Sequence, residues 1–248
     1  MGTVKIGEQI IKLDAIGSTN DYAAKFIAGK TNVPEGTVVA AKNQYSGKGR
    51  RGGKWVSPPG MNLTFSIILY PKFLMVEKQF LLSKTISLGI RDYLLSLAYA
   101  NMSDNRFDVF IKWPNDIYAG DKKICGILIE NNVTSSSITS SIAGIGININ
   151  QTSFPDEIPN PTSVKLLIGK HTGLNLALGS LCSFINTRYL QLMAGDTITL
   201  DRDYESAMYL YGIYEIYKIK GKEIRACISG VDEYGALKFK DERGMVII

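Results

Sequence analysis

The chain has 248 residues, of which 45% are hydrophobic and 21% charged, a composition typical of a globular protein with a buried core. It contains no apolar run near the ~20 residues of a membrane helix, and its first thirteen residues lack the uninterrupted apolar stretch of a signal peptide, so we expect a cytoplasmic protein. The net charge of +5 equals the five basic residues of segment 42–54, which has no acid, and this local excess indicates an anionic ligand.

Cysteine and histidine usage argues against metal and triad chemistry. The three cysteines, Cys125, Cys182 and Cys227, form no C-x-x-C pair, which favours buried, reduced thiols. The single histidine, His171, lies in a polar Gly-Lys-His-Thr-Gly stretch, typical of an exposed loop. We therefore expect neither a transition-metal site nor a Ser–His–acid triad.

Hydrophobic periodicity predicts both strands and helices along the chain. A helix is predicted over 18–29, where Ser18 and Asp21 fit a capping box and Gly29 ends the apolar face. The other predicted elements are strands over 37–42, 63–70, 107–111, 124–131 and 138–147 and helices over 77–97 and 179–193. Strand-like runs over 211–220, 223–229, 236–240 and 245–248 alternate with turn-like breaks at the end of the chain.

The order of these elements predicts an α+β fold. Strands come in runs and do not alternate regularly with helices, which favours a mixed or antiparallel sheet over a doubly wound parallel one. We predict a main domain over 1–208, with helices flanking the sheet. Residues 209–248 are predicted to form a small C-terminal β-barrel-like domain that leans on the main domain.

The segment from Gln44 to Trp55 is rich in glycine and basic residues. Its G-x-G-x-x-G spacing does not indicate a Rossmann fingerprint, because two prolines follow where a helix would have to begin. It is not a Walker A loop either, since Trp55 replaces the required Ser or Thr. Such a loop can surround phosphates or a carboxylate. A solvated surface loop and an arginine–glycine nucleic-acid contact are the alternatives.

Two further segments suggest a binding site. Lys112-Trp-Pro-Asn-Asp116 follows a strand in which Ile111 faces the core, so Lys112 should face the other side. A lysine at a strand end beside Asn115 and Asp116 is placed to contact an anion or a metal–nucleotide. The alternative is an exposed Lys at a Pro turn. Gly144 and Gly146 alternate in a β-branched strand and leave one face bare, so a ligand could lie against the backbone, or the strand could cross closely over a helix.

Taken together, these segments resemble those of the biotin–protein ligases. Ser18-Thr19-Asn20, the Gly47–Gly52 loop with Trp55, Lys112–Asp116, Lys123-Ile-Cys-Gly126 and Gly144–Asn148 occur in the family's order and at similar spacing. The resemblance is strong over about residues 14–150 and weaker at Gly230–Gly235, which is similar to a turn of the family's SH3-like domain. It implies a catalytic fold like that of class II aminoacyl-tRNA synthetases, followed by a small SH3-like barrel.

The resemblance implies roles for matching positions. It implies biotin contacts from Ser18, Thr19, Asn20, Gln44, Gly47, Lys48, Gly49, Arg50, Lys112, Gly144 and Gly146. It implies ATP or adenylate contacts from Arg50, Arg51, Trp55, Asn115, Lys123 and Asn148, and catalysis by Lys112, Arg50, Asp116 and Lys123, with no protein metal ligands. The family loop usually has Arg where this chain has Lys48, which keeps the charge but cannot make a forked contact. Cys125 stands where Ala is usual.

The implied reaction uses ATP and Mg²⁺ to form biotinyl-5′-AMP and then biotinylates a lysine of a biotin carboxyl carrier domain. The biotin carboxylate is already ionised at neutral pH, so the scarcity of histidine is no obstacle. Only seventeen residues precede Ser18, too few for the helix-turn-helix domain of some family members, so we expect no DNA partner and no membrane partner. A homodimer is compatible with the sequence.

Two alternatives to biotin ligation remain open at this point. One is lipoate or octanoate transfer on a related scaffold, against which only the polar set Ser18, Thr19, Asn20 and Gln44 argues. The other is a nucleic-acid-binding module that uses the basic loop, which predicts no role for Lys112 and binding that weakens steeply with salt. We also expect segment 42–54 to be mobile without ligand, because four glycines and five like charges oppose its ordering.

Overall fold

The computed structural model describes residues 4–30, 32–100, 107–219 and 221–248. In these ranges the chain forms, in order, β1 (Ile10–Ile16), α1 (Thr19–Gly29), β2 (Val38–Gln44), β3 (Gly47–Lys48), β4 (Lys54–Trp55), β5 (Leu63–Leu69), α2 (Phe80–Ala100), β6 (Val109–Lys112), β7 (Asp116–Ala119), β8 (Lys122–Thr134), β9 (Ser137–Ile147), α3 (Val164–Ile168), α4 (Leu174–Met193), α5 (Thr197–Ser206), β10 (Tyr214–Ile219), β11 (Lys222–Val231), β12 (Leu237–Asp241) and β13 (Val246–Ile247). Short 3₁₀ helices cover Arg50–Gly52 and Val76–Lys78.

The main sheet has seven strands in the order β1-β2-β5-β9-β8-β7-β6. Only β1 and β2 pair in parallel, and the other neighbours are antiparallel. The predicted α+β class with a mixed sheet is therefore confirmed. Strands β1 and β7 were not predicted, because Lys12 and Asp14 interrupt the apolar pattern of β1, and β7 has four residues and begins directly after the Pro114 turn.

Helices α2 and α4 pack together on one face of this sheet. Apolar residues at helical spacing, among them Leu82, Ile86 and Leu94, are fully buried there, as their periodicity predicted. The predicted helix starts were wrong by three and five residues: α2 begins at Phe80 after a 3₁₀ turn, and α4 begins at Leu174. Gly179 lies inside α4 with open space around its Cα, so it does not mark a helix boundary.

The opposite face of the sheet is covered by α1, whose Ala23 packs with Val39, Ile68 and Ile142. Strand β5 lies at the centre, between β2 and β9, and all seven of its residues are buried. Its polar members, Thr64 and Ser66, are thus enclosed as well. Polar groups in such a position require hydrogen-bond partners, and those of Ser66 lie in the site described below.

The C-terminal strands form an antiparallel sheet in the order β10-β11-β12-β13. This sheet lies where the SH3-like domain was expected. Ile228 and Val231 of β11 join the main core, and Tyr209 N donates to Ile111 O of β6 at 2.9 Å. The small sheet therefore rests on the main sheet through apolar contacts and backbone pairing.

The cysteines and the histidine lie where the composition led us to expect them. Cys125, Cys182 and Cys227 are buried free thiols, and burial raises the pKa of Cys125 and, to about 12, that of Cys182. His171 is exposed. Within the described ranges, no helix is long and apolar enough to cross a membrane.

Candidate active site

A pocket of about 280 Å³ lies on the α1 side of the main sheet, between the start of α1, the glycine loop and strands β7, β8 and β9. It gathers most of the predicted site residues although they come from five separate segments. Its lining is Ser18, Thr19, Asn20, Gln44, Lys48, Gly49, Arg50, Gly53, Lys54, Trp55, Asn115, Asp116, Lys123, Gly126, Ile127, Leu128, Gly144, Ile145 and Gly146.

The start of α1 forms one end of the pocket. Ser18 is its N-cap, with Oγ accepting from Asp21 N at 3.4 Å, which satisfies one of the free amides of the first turn. The predicted capping box also requires the Asp21 side chain to accept a hydrogen bond from the backbone N–H of Ser18, and this part of the prediction is wrong. The Asp21 carboxylate turns outward and binds Lys48 of the loop at 2.5 Å, so it connects the helix to the loop.

A buried hydrogen-bond network fixes the polar floor behind Ser18. Gln44 Oε1 accepts from Thr19 N at 2.9 Å and from Thr19 Oγ1 at 3.1 Å, which leaves the Nε2 group beside Gly47. Ser66 Oγ lies 2.8 Å from Thr19 Oγ1 and 2.6 Å from Asn20 Oδ1. Asn20 Nδ2 donates to Leu128 O and Glu130 Oε2. The amide of Asn20 is thus saturated within the protein. Among the residues that the structure describes, Gln44 Nε2 has no acceptor and is the donor that this network leaves available.

The glycines of β9 line the pocket, and the face that they leave bare also admits protein side chains. A Cβ on Gly144 would overlap the amide of Asn20, and one on Gly146 would overlap the indole of Trp55. Gly126 of β8 lies under the same indole, which a Cβ would approach to 3.1 Å. The absence of these three side chains therefore lets Asn20 and Trp55 lie against the sheet, where they form walls of the pocket.

The glycine loop forms a small hairpin over the pocket. Gly47 pairs with Trp55 and Lys48 with Lys54, while Arg51 at the tip has a φ of 52°, a left-handed conformation that is uncommon for a side-chain-bearing residue. A Cβ on Gly47 would overlap Trp55 O, so close pairing requires glycine here. The hydrogen bond to Asp21 raises the pKa of Lys48, so its ammonium is charged at neutral pH.

The opposite wall carries an ion pair between neighbouring strands. Lys123 Nζ of β8 lies 2.8 Å from Asp116 Oδ1 of β7, and both side chains are more than two-thirds buried. Asn115 is held beside them, since its Nδ2 donates to Ile127 O at 2.8 Å and its O accepts from Ile127 N at 2.9 Å. Lys123 Nζ also lies 6.0 Å from the centre of the Trp55 ring, so it faces the pocket interior.

Several predicted residues lie outside this pocket. Lys112 does face away from the core, as predicted, but it belongs to the edge strand β6. Its Nζ binds Tyr118 OH at 3.0 Å and lies over the rings of Tyr118 and Tyr209. Asn148 is buried and donates to Thr162 O at 2.9 Å. Arg51 projects from the outer side of the loop, and Gly47 lies buried beneath it.

Other lining or supporting residues were not predicted from the sequence. Asp21 and Glu130 flank the loop, and Ser66 supports the polar floor. Alternation places Gly126 and Leu128 on one face of β8. Lys123 has the opposite parity and joins them because the pairing of β7 with β8 shifts register between Ile117↔Cys125 and Tyr118↔Lys123, so parity alone does not link it to them. The partners of Asp21 and Ser66 are 27 and 46–47 residues distant, and no local pattern indicates such contacts.

The pocket favours anions. Its lining contains four basic side chains, Lys48, Arg50, Lys54 and Lys123, and one carboxylate, Asp116. Among the described residues no three or more His, Cys, Asp or Glu side chains cluster as a metal site. The arrangement can neutralise a carboxylate and a phosphate side by side, while Gln44 and Ser18 offer polar contacts at the far end of the pocket.

Comparisons with known proteins agree with this chemistry. Residues 13–149 match the model of the biotin/lipoate A/B protein ligase family. The bifunctional ligase/repressor BirA of Bacillus spizizenii is 31% identical over 252 residues, which cover 99% of this chain and 71% of that protein. A biotin–[acetyl-CoA-carboxylase] ligase of Paracoccus denitrificans is 33% identical over 133 residues, or 53% of this chain and 51% of that protein. The structure of the Aquifex aeolicus biotin protein ligase in complex with biotin and ATP superimposes with a TM-score of 0.78 and 27% identity, covering 97% of this chain and 95% of that one.

Proposed function

This chain belongs to the biotin/lipoate A/B protein ligase family, and from that premise we propose that it is an ATP-dependent biotin–protein ligase. It joins biotin to ATP as biotinyl-5′-AMP and passes the biotinyl group to a lysine of a biotin carboxyl carrier domain. The observation that carries this proposal is the pocket itself: a cationic end with Lys123 and Arg50 adjoins a neutral polar end with Gln44 and Ser18. An elongated acid with a polar head group matches both ends.

The first step needs charge neutralisation and alignment. An oxygen of the ionised biotin carboxylate attacks the α-phosphorus of ATP, a carboxyl–phosphate bond forms, and pyrophosphate leaves with the electrons of the broken P–O bond. Lys123 is the group we assign to the reacting oxygens, because its ammonium is partly desolvated inside the pocket. Arg50 lies across the pocket and supplies a second cation. Fixed charges of this kind lower the barrier without moving during the reaction.

The second step is aminolysis of the mixed anhydride. The acceptor ammonium loses one proton, its nitrogen attacks the acyl carbon, and AMP leaves with the electrons of the C–O bond. The nitrogen then releases a second proton, which leaves a neutral amide. Asp116 is the carboxylate of the pocket lining, and we assign it the first proton. Its ion pair with Lys123 places that proton acceptor beside the reacting carbonyl.

The neutral polar end of the pocket suggests how biotin is selected over other acids. Gln44 Nε2 is free to donate to a carbonyl oxygen, and the network from Thr19 and Ser66 holds the amide in that orientation. A ureido ring offers such a carbonyl, whereas the ends of lipoate and octanoate do not, so those acids are not favoured. Asn20 holds the wall in place through its contacts with Leu128 and Glu130. The basic side chains of the glycine loop line this pocket and serve its anionic ligands, so we assign no nucleic-acid partner to these residues.

Mg²⁺ fits this site as an ion carried by ATP. One carboxylate lines the pocket and it is paired with Lys123, so the phosphates would be the main ligands, with Asp116 nearby, as is usual for this ion. When bound it supplies further charge neutralisation. The buried thiols suit a reducing compartment such as the cytoplasm. The homodimer stays a prediction.

Biotinylation of a carrier domain tests this function directly. The chain, biotin, MgATP and a purified biotin carboxyl carrier domain are mixed, and the intact mass of the carrier is measured. We expect a gain of one biotinyl group that disappears when ATP or biotin is omitted. A carrier whose acceptor lysine is replaced by arginine serves as the matched control. An unchanged mass of the wild-type carrier, or a gain from lipoate alone, would refute the assignment.

A further inference from the structure

A second cavity, of about 330 Å³, lies directly beyond the candidate active site. It is bounded by the start of α2, the Trp113–Asn115 turn, strand β8 and the Asp232–Gly235 turn of the C-terminal sheet. We call it the junction groove; its walls are Gln79, Phe80, Ser83, Ser87, Trp113, Pro114, Ile129, Asn131, Tyr234 and Gly235. Four further residues, Arg50, Asn115, Ile127 and Leu128, line both cavities, so the groove opens onto the end of the pocket that carries Lys123 and Asp116.

The geometry of the groove is fixed from both sides. Trp113 Nε1 donates to Gly235 O at 2.9 Å. Gly235 has a φ of +87°, and a Cβ there would overlap the ring of Phe80. Asp232 Oδ1 accepts from Ala236 N at 2.7 Å and so closes the turn. These contacts hold the C-terminal sheet against α2 and keep the groove open between them.

The polar lining of the groove includes an acceptor that would bind a hydrogen-bond donor of a ligand. Asn131 Nδ2 donates to Gln79 Oε1 at 3.0 Å, whereas Asn131 Oδ1 is buried and has no donor among the described residues. A buried acceptor without a donor costs free energy. The hydroxyls of Ser83 and Ser87 lie in the same walls. Arg50, at the boundary with the active site, is the one charged residue of the lining in the described chain.

We infer that the junction groove is the subsite through which the acceptor lysine of the carrier domain reaches the adenylate. This inference rests on the proposed ligase function. A lysine side chain has four methylenes, which suit the aromatic walls from Phe80, Trp113 and Tyr234, and an amine with several donors, which suits Asn131 Oδ1. A phosphate chain offers acceptors alone and would leave that oxygen unpaired. The outer side of the glycine loop is less suited, because four basic residues line it and would repel an ammonium.

The groove also gives the C-terminal sheet a role in a reaction whose other assigned residues all lie between Ser18 and Lys123. Tyr234 is 64% exposed at the rim, so it can contact both the lysine and the surface of the carrier around it. The C-terminal turn thereby becomes a specificity-determining element for the second step alone. The first step, which uses biotin and ATP, does not require the groove.

The test separates the two steps. Ser83→Leu places an apolar side chain in the groove, and Asn131→Ala removes the unpaired acceptor while leaving space. Ser180→Leu is the control, because Ser180 is an exposed serine of α4 that lines neither cavity. For each variant we would measure thermal stability, biotin-dependent exchange of pyrophosphate into ATP, and the rate of biotin transfer from preformed adenylate to a carrier domain.

We expect both groove variants to keep exchange within about twofold of wild type and to slow transfer at least tenfold, while Ser180→Leu changes neither rate. Transfer that equals wild type in both folded variants would overturn the subsite. Equal loss of exchange and transfer would also overturn it, because the groove would then serve ATP or pyrophosphate. Absence of exchange in the wild type would instead contradict the ligase function itself, which distinguishes the two failures. Should Ser83→Leu prove unfolded, Asn131→Ala alone decides.

Discussion

The two walls of the candidate active site differ in how they are held. The sheet wall, formed by Asn115–Asp116, Lys123–Leu128 and Gly144–Gly146, belongs to strands that pair along their length. The loop wall, formed by Lys48–Trp55, belongs to a hairpin whose two strands have two residues each. Its basic side chains, Lys48, Arg50, Arg51 and Lys54, are exposed. Its links to the rest of the site include one exposed ion pair, Lys48–Asp21, and the indole of Trp55 against Gly126 and Gly146. A fixed wall next to a weakly held one suits a site that must align reactants and also admit and release them.

This difference leads us to propose separate tasks for the two walls. In this proposal the sheet wall positions the charge that acts on the reacting atoms, since Lys123 is held by Asp116 on the neighbouring strand. The loop wall is proposed to cover the ligand and to open at small cost, because exposed ion pairs contribute only ~0.2–1 kcal/mol. Substitutions in the sheet wall should therefore change the chemistry, and those in the loop wall should change ligand retention.

The largest effect is expected for Lys123→Ala. It removes the partly buried ammonium that we assign to the reacting carboxylate and phosphate, so biotin-dependent adenylation should fall by ~10²–10³, the usual effect of one stabilising donor. Single-turnover formation of biotinyl-adenylate is the measurement. Lys122→Ala, an exposed neighbour on the same strand, is the control and should be near normal. Full activity of a folded Lys123→Ala protein would show that this lysine of the sheet wall does not act in adenylation.

Gly146→Ala should disturb the contact between the walls. The new methyl group would overlap the Trp55 indole, so the loop loses its apolar anchor, and we expect biotin affinity to fall about tenfold, which equals ~1.4 kcal/mol. Isothermal titration with biotin provides the measurement. Gly179→Ala in α4, where a Cβ meets nothing within 4 Å, is the matched change. Unaltered biotin affinity of Gly146→Ala would show that Trp55 does not anchor the loop.

Asp21→Asn should loosen the loop wall alone. Loss of the exposed Lys48–Asp21 pair is expected to raise loop opening by up to about fivefold, given ~1 kcal/mol for such a pair. Trypsin reports this, because Lys48, Arg50, Arg51 and Lys54 are cleavage sites. The free wild-type protein should be cut first in this segment, biotin with MgATP should slow the cut, and Asp21→Asn should speed it.

Asp14→Asn, an exposed acid on β1, should leave the rate of cutting unchanged. A wild-type loop that resists trypsin without ligand, or that is cut equally fast with saturating biotin and ATP, would refute a closing loop. The physical basis is that a bound anion gives the like charges of the loop a common partner and offsets the entropy of its glycines.

The smallest effect is expected for Lys112→Ala. Its ammonium binds Tyr118 OH, over the rings of Tyr118 and Tyr209 on the edge strand, and so lies outside the pocket lining. We expect adenylation within about threefold of wild type and a stability loss of about 1 kcal/mol, as for a typical hydrogen bond. Loss of adenylation by two orders of magnitude in a folded variant would show instead that Lys112 reaches the reactants.

The contrast between Lys112 and Lys123 also shows what the sequence could establish. Strand parity placed Lys112 on the correct face, yet parity does not tell which of two strands borders the pocket. That depends on the strand order, in which β6 is the edge and β8 lies two strands further in. The N-cap at Ser18 and the helical faces were predictable because their partners are local. The Asp21–Lys48 pair and the Asn20 and Trp55 contacts with the β9 glycines join residues distant in sequence, and no local pattern encodes them.

The assignment of biotin as the acid that this pocket activates is tested most directly by exchange of labelled pyrophosphate into ATP, with Mg²⁺ and one acid at a time. Biotin, lipoate and octanoate are compared at equal concentration, with no carrier present. We predict exchange that requires biotin, is abolished by Lys123→Ala and is retained by Lys112→Ala. Exchange driven by lipoate or octanoate but not by biotin would contradict the account.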